Sequence, residues 1–523
     1  MLEFKKAEEL KLDTVSSRDM SLFGAFSDTD KIKFTLMFDA DKEELDKITE
    51  VSAVIHKDAW NSQKEIYHVA KLERTGDGEF CGICDFAKFL GLWDDSCGLF
   101  YYHYLVKTAD GDLTLGGEGV RELETIENGI GERQVLVYDS SYKTSKSFAK
   151  GVVYHIFVDR FKRSGRCGVK NGAELNEDWD NGIPQYGEYP GAEVSNNVSF
   201  GGDLYGIAEK LDYIAALGTK TIYLSPVFDA YSNHKYDTGD YLTVDEMFGG
   251  DEALEELCEK AREHDIEVIL DGVFNHTGSD SIYFNRFGKY PSIGAYQSVD
   301  SPYYSWYSFR EFPDDYECWW GVKILPRVNG SNKGFCSFIC DKVVKKWMKL
   351  GVSGWRLDVA DELPEEFIKA LRDKEKELSP ESLLIGEVWE DASNKVSYGY
   401  RRKYFTGGEL DSVMNYPFRT AVLDYILGHD DGTRLRETVL GIIENYPACV
   451  VRVLMNFLST HDTARALTVL SGAHFDSKDE RAHFRLSGNA LECAKDRLRA
   501  AYLLIFALPG IPSVYYGDEI GME

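Results

Sequence analysis

The sequence predicts an α/β fold: a parallel (β/α)8 (TIM) barrel with a lobe inserted after its third strand, preceded by a small N-terminal β-sandwich. Three observations lead there. From about residue 146 onward, short apolar runs alternate with helical patterns. Polar, chemistry-bearing residues collect at the C-terminal ends of those apolar runs. The first 145 residues behave differently, as short alternating segments parted by turn residues.

In the leading region, residues 1–145, "IKFTLMF", "EVSAVIH", "EIYHVAKLE" and "LFYYHYLVKT" followed by "ADGD" read as strands of an antiparallel sandwich, with no helix of convincing length. The polar "DSSYKTSKSFAKG" (139–151) reads as a linker. The barrel, residues 146–523, then opens with strand "GVVYHIFV", helix "DLYGIAEKLDYIAAL", strand "KTIYLSPV", helix "DEALEELCEKAREH" and strand "EVILDGVF". Five further strands follow at "VSGWRLDV", "LLIGEV", "LDSVMNY", "RVLMNFLS" and "PSVYY", which completes eight. The stretch 277–336, rich in Tyr, Trp, Pro and Gly, interrupts the alternation and predicts a lobe over the barrel mouth. The sequence given stops at "GDEIGME", straight after the eighth strand, so the eighth helix and any C-terminal domain are expected to lie outside it.

Composition narrows the function. The 523 residues carry 59 Lys+Arg against 88 Asp+Glu, a net charge of −29, which repels phosphate backbones and anionic headgroups and suits a neutral ligand. Nucleic acid and membrane are therefore not expected partners. The start "MLEFKKAEELKLD" lacks the apolar core of a signal peptide, and no run approaches the ~20 apolar residues of a membrane span, so a cytoplasmic location is expected. Ten cysteines scattered along the chain read as free thiols; "CGIC" (Cys81 to Cys84) lacks the second pair a zinc site would need.

The strand ends carry the chemistry. "GWRLDVADE" places Arg356, Asp358 and Ala360 on one face of a strand and Trp355, Leu357 and Val359 on the other. Strand three ends in "DGVFNH" (Asp271 to His276), strand five in "GEVW" (Gly386 to Trp389) and strand seven in "STHD" (Ser459 to Asp462), and "SNHKYDTGDY" after strand two adds His234, Tyr236 and Asp237 to the same rim. Beside the Arg356 guanidinium, Asp358 is expected to stay ionised, as a nucleophile requires. Glu387, partly desolvated and near Asp462, is expected to hold its proton, as an acid requires. An anionic carboxylate and a carboxylic acid ~5 to 5.5 Å apart are the pair of a retaining glycosidase. His276 and His461 supply hydrogen bonds to sugar hydroxyls and Tyr236 a flat face for a pyranose; Trp319, Trp320 and Trp389 extend that platform, with filling of the lobe as the alternative for Trp319 and Trp320. "FYYHY" (Phe100 to Tyr104) is read as sandwich core in preference to a glucan-stacking patch.

These motifs, in this order and spacing over residues 150 to 523, resemble the α-amylase superfamily of glycoside hydrolases. "SNHKYDTGDY", "LPRVN", "MNYPF" and "YYGDEIGM" are similar to its neopullulanase and cyclomaltodextrinase branch. The resemblance implies retaining hydrolysis, with transglycosylation as a variant, of α-1,4 bonds in maltooligosaccharides, cyclodextrins or pullulan. Asp358 would be nucleophile, Glu387 acid/base and Asp462 the third carboxylate. Arg356, His276, His461 and Tyr236 would line the site of the attacked glucose, Asp237 and His234 would brace the rim, and Glu362 and Trp389 would face the acceptor. A homodimer through a glucan-binding N-terminal domain is also implied. Asp361 and Glu362 stand where α-amylases commonly have a Lys-His pair, which argues against a plain α-amylase on starch. "KRSGRCGVKNG" (Lys162 to Gly172) replaces the relatives' calcium loop, leaving Asp203 as a lone candidate ligand, so no cofactor is expected, with calcium as the alternative that Asp203 alone supports. The competing reading is a barrel that binds carbohydrate without catalysis; it conflicts with the presence of all three carboxylates.

Overall fold

The computed structural model describes residues 6–14, 25–58, 66–85, 97–117, 122–126, 131–187 and 194–523. The first five residues of the "MLEFKKAEELKLD" start lie outside them. The chain forms two units. One comprises Met1–Lys143 with Glu390–Glu409 and Asp430–Arg452; the other comprises Thr144–Trp389, Leu410–His429 and Val453–Glu523. The sequence reading divides the chain once, near residue 145, whereas two segments from beyond barrel strands five and six also belong to the first unit.

In the first unit ten strands pair into a continuous antiparallel arrangement, parallel only where Ala25–Ser27 meets Arg133–Tyr138. Period-two alternation sends Phe34, Leu36, Ile55, Phe100, Tyr102 and Tyr104 into one core, which settles "FYYHY" as core-forming on that face. The helix Thr433–Asn445 contributes Leu440 to the same core. All ten cysteines are free thiols, and those of "CGIC" share one strand, Glu79–Asp85.

The second unit is an eight-stranded parallel sheet. In chain order its strands are Val152–Ile156, Thr219–Leu224, Glu267–Gly272, Gly354–Leu357, Leu383–Gly386, Ser412–Val413, Met455–Asn456 and Ile511–Tyr515, here barrel strands one to eight. Strand one pairs with strands two and eight, and a parallel bridge from Met414 to Met455 joins strands six and seven, closing the barrel. Strands six and seven are shorter than their apolar runs because only two residues of each keep the ladder. The helix Gly250–Glu263 forms as its pattern predicts, buries Leu254, Leu257 and Ala261, and starts with Asp251 and Glu252 at its positive end. The preceding helix breaks into Leu204–Ala208 and Leu211–Ala216.

Side chains fill the barrel rather than leaving a pore. Val153, Tyr223, Ile269, Ile385 and Met455 pack together, and Phe148, read from sequence as linker, is buried among them. Strands four and five approach so closely that a Cβ at Gly354 would lie 2.3 Å from the Leu383 carbonyl oxygen, so only glycine fits there. Residues 277–336 form the inserted lobe around an aromatic cluster of Tyr283, Phe284, Trp306, Tyr307 and Tyr316, tied back to strand three by the His276–Arg327 bridge.

Candidate active site

Register explains why a charged pair can sit inside the barrel. Strands three and four pair with Asp271 opposite Arg356, so both point inward in one layer, while Trp355 on the other face packs against Phe274 and Phe228. The buried guanidinium answers the odd charges of "GWRLD". Arg356 Nη1 donates to Asp271 Oδ1 (2.9 Å) and Oδ2 (3.1 Å) and to Asp358 Oδ1 (3.0 Å). Its Nη2 lies 2.9 Å from Glu387 Oε2 and 3.9 Å from Asp462 Oδ2. One fully buried cation thus faces four carboxyls from strands three, four, five and seven.

That ratio decides the protonation states. Four carboxylates around one guanidinium would leave an uncompensated buried charge, which a protein relieves by retaining protons. Burial pushes the Asp358 carboxyl well above the usual carboxylate range, and the neighbouring Glu387, Asp271 and Asp462 add to it, although Arg356 pulls the other way. Burial also acts to raise Glu387, but the Arg356 guanidinium, the Val359 N–H (2.9 Å) and the Trp389 Nε1–H (3.0 Å) outweigh it and hold Glu387 below its ordinary value. Asp462 is pushed up to about 6, by burial and then by Glu387. These directions run opposite to the sequence expectation of an ionised Asp358 and a protonated Glu387. Two N–H donors, from Val359 and Trp389, and the Arg356 charge act on Glu387, whereas one hydrogen bond, from Arg356 Nη1, reaches Asp358. Sequence spacing shows the Arg356–Asp358 neighbourhood and cannot show those donors.

Local backbone geometry builds the pairing. Val359 adopts φ 47°, ψ 49°, a left-handed conformation costing a β-branched residue on the order of 1–3 kcal/mol. This turn ends strand four just after Asp358 and aims the 359 N–H at Glu387.

The rim residues gather as expected. Tyr236 donates its hydroxyl to Asp271 Oδ2 (2.9 Å), contacts His461 Nε2 and stacks on the His461 ring at 5.2 Å. His461 Nε2 is also 3.2 Å from Asp462 Oδ2. His276 hydrogen-bonds through Nε2–H to the Tyr236 carbonyl (3.1 Å), and His234 Nδ1 accepts from the Tyr236 N–H (3.1 Å). Burial lowers His276 and His461 to about 4, leaving neutral rings suited to hydrogen-bonding hydroxyls. Asp237 braces the turn by accepting from Ser232 N–H (3.1 Å). Beneath it, buried Lys235 anchors the loop through Nζ to Asp245 (2.7 Å).

Glu362 stands apart from the carboxyl cluster, whereas Trp389 borders it through its hydrogen bond to Glu387. Glu362 accepts from Trp320 Nε1–H (3.0 Å) and Asn275 Nδ2 (3.4 Å). Trp389, 48% exposed, stacks on Tyr416 at 3.9 Å. Trp319 stacks on His276 and Trp320 on Trp319, a stair of rings that ends in Trp320 at 79% exposure, the arrangement of a platform rather than lobe filling.

Sequence reasoning missed Asp271, Tyr223, His155 and Tyr416. Asp271 accepts from Arg356, Tyr223 (2.6 Å) and Tyr236, and so orients the guanidinium. The signal for it was present: it opens the "DGVFNH" motif and alternates with core residue Ile269. His155 stacks on Tyr223 at 4.2 Å and was hidden inside an apolar run.

The residues that replace the calcium loop do not fit that ion. Asp203 is occupied by donors, with Gly206 N–H at 2.7 Å and the Ser164 N–H and hydroxyl at 2.9 Å each. Lys170 places an ammonium beside Asp229 and Asp245, where an added cation would be repelled.

A closed parallel barrel with grouped carboxyls on a buried arginine at its C-terminal mouth is the layout of the barrel glycoside hydrolases. The α-amylase family model, "Alpha amylase, catalytic domain", matches residues 155–523, and the chain belongs to that family. It is 34% identical over 568 aligned residues to an amylopullulanase of Thermoanaerobacterium saccharolyticum, covering 99% of this chain and 42% of that one. It is 30% identical over 477 residues to neopullulanase 2 of Thermoactinomyces vulgaris, covering 90% and 72%. Among solved structures it is similar to the cyclic α-maltosyl-(1→6)-maltose hydrolase of Arthrobacter globiformis, with a TM-score of 0.60 and 29% identity over 73% of this chain and 76% of that one. The chain spans only 29% to 42% of the length of the amylopullulanases it matches.

Proposed function

We propose that the chain is a retaining α-glucan hydrolase that cleaves α-1,4 bonds in maltooligosaccharides, cyclodextrins or pullulan, with transfer to a sugar acceptor as the competing outcome. The observation that carries this reading is the placement of Asp358 and Glu387 on the two terminal nitrogens of one guanidinium, with Asp462 beside them. Sharing one cation favours the close carboxyl spacing of retention, about 5–5.5 Å, over the ~6.5–9.5 Å that leaves room for a water.

Asp358 attacks the anomeric carbon as Glu387 protonates the departing glycosidic oxygen, giving a β-glycosyl ester. Glu387 then takes a proton from water as the water oxygen attacks the anomeric carbon from the face the leaving group vacated; the bond from that carbon to the Asp358 oxygen breaks, and the α-product leaves with Asp358 regenerated as a carboxylate. These roles require Asp358 ionised and Glu387 protonated with substrate bound, against the directions in which burial pushes Asp358 and Arg356 pulls Glu387 in the free site. Tyr236, His276 and His461 bind the attacked glucose, and Trp389 and Glu362 face the acceptor. Side chains supply every proton and the nucleophile, so no cofactor enters the reading.

A cytoplasmic location and a homodimer through the first unit belong to the same reading. Ten free thiols support a reducing compartment, and among the described residues no helix is long and apolar enough to cross a membrane. The test is the purified chain on maltotriose, β-cyclodextrin and pullulan, with products separated by chromatography and their first-formed anomer read by NMR. α-Anomers support retention; β-anomers, or no release from any of the three, defeat the proposal.

A further inference from the structure

The alternation that buries Phe100, Tyr102 and Tyr104 turns Tyr101 and His103 to the opposite face of the sandwich sheet, where catalysis gives them no role. Three neighbouring strands meet on that face: Ile48–Lys57, Gly98–Thr108 and Arg133–Tyr138. Their registers pair His56 with Tyr101, Val54 with His103 and Arg133 with Tyr102. Extending the last by one residue sets Glu132 opposite His103. Two imidazoles and a carboxylate therefore converge, with His56 Nε2 2.9 Å from Glu132 Oε2 and His103 Nδ1 3.0 Å from Glu132 Oε1. All three donor atoms lie within 4.8 Å of one another.

One donor atom of this cluster lacks a hydrogen bond. His56 Nδ1 is 3.3 Å from the Lys57 carbonyl oxygen, which can only accept, so Nδ1–H faces that carbonyl. His56 Nε2 is buried and, although 2.9 Å from Glu132 Oε2, meets no partner in hydrogen-bonding geometry. A metal ion sits off the line between the two donors and needs only that their lone pairs converge. The Lys57 carbonyl beneath Nδ1–H is the outer-shell partner that metal-bound histidines regularly have.

We propose that His56, His103 and Glu132 form a binding site for a zinc-type divalent cation that ties three strands of the sandwich unit together. Two imidazole nitrogens and one carboxylate suit a borderline ion with bonds of about 2.0–2.2 Å, leave one position for solvent, and do not suit calcium or magnesium, which take oxygen ligands.

The experiment uses the full chain, stripped with a chelator and dialysed. Zinc is titrated by calorimetry, and thermal unfolding is followed with zinc, calcium or magnesium. The expected result is one zinc bound per chain and a rise in Tm with zinc alone, with His103→Gln and Glu132→Gln each weakening zinc binding by about 100-fold or more and removing the Tm rise. Both variants keep a polar side chain of similar size at partly exposed positions, and their unliganded Tm reports whether they fold. Absence of stoichiometric zinc binding in the parent chain overturns the proposal and leaves a proton-held His–Glu–His cluster. Equal zinc binding by parent and variants also overturns it and places the metal elsewhere.

Discussion

Replacing Arg356 by lysine tests the claim that one guanidinium organises the whole site. Lysine keeps the positive charge and loses the two-pronged reach. In the structure Nη1 serves Asp271 and Asp358 while Nη2 faces Glu387 and Asp462. A single ammonium cannot occupy both positions. Losing one charge-assisted contact is worth about 1.5–3 kcal/mol, so kcat/KM for maltotriose should fall by about 10- to 150-fold. Methionine at 356 removes the charge as well, leaving buried Asp271 and Asp358 and partly buried Glu387 without a cation; breaking a buried pair this way costs about 3–5 kcal/mol. Urea unfolding at pH 7 should therefore rank wild type above Arg356→Lys, and Arg356→Lys above Arg356→Met. A lysine variant with wild-type kcat/KM, or a methionine variant as stable as the parent, would refute the reasoning.

Asp358→Asn should abolish hydrolysis with little change in the urea midpoint, because asparagine copies the neutral carboxyl that burial enforces there; measurable turnover, or a large loss of stability, contradicts this. A fluorinated glycosyl fluoride should trap a covalent ester that peptide mapping locates on Asp358, and an ester on Glu387 would reverse the two roles. Two buried histidines should cost stability on acidification. His276 and His461 drop from an ordinary value of 6.5 to about 4 in the folded state, so their contribution, about 3 kcal/mol each, is present above pH 6.5 and lost as pH falls through 4. Asp462, raised to about 6, and Asp358, raised by burial, work the opposite way, so the histidine part is read as the difference between parent and variant. His276→Gln should flatten the Tm profile between pH 6.5 and 4, and an unchanged slope speaks against the buried neutral ring. Trp389→Ala removes the stack on Tyr416, worth about 0.5–1.5 kcal/mol, together with the hydrogen bond to Glu387, and should both raise KM for longer maltooligosaccharides by about 2- to 10-fold and lower kcat; unchanged KM would remove Trp389 from the acceptor side.

Periodicity alone carried the barrel, the sandwich and the inserted lobe, because alternation and helical repeat report which faces must be buried before any contact is known. The same logic placed Arg356 and Asp358 on one strand face and brought "DGVFNH", "GEVW" and "STHD" to one mouth, since strand ends in a closed parallel barrel have nowhere else to converge. Boundaries were less legible. Phe148 looked like linker in a polar stretch, and Glu390–Glu409 and Asp430–Arg452 looked like barrel while clustering with the sandwich unit. What only the tertiary structure decided was protonation and partnership. How far each carboxyl is shifted depends on the groups that reach it in three dimensions; the hydrogen bonds to Glu387 come from residues 359 and 389, and the Arg356 charge beside it is shared with Asp271. His56, His103 and Glu132 likewise meet only through strand register, a relation between distant segments that no local pattern encodes.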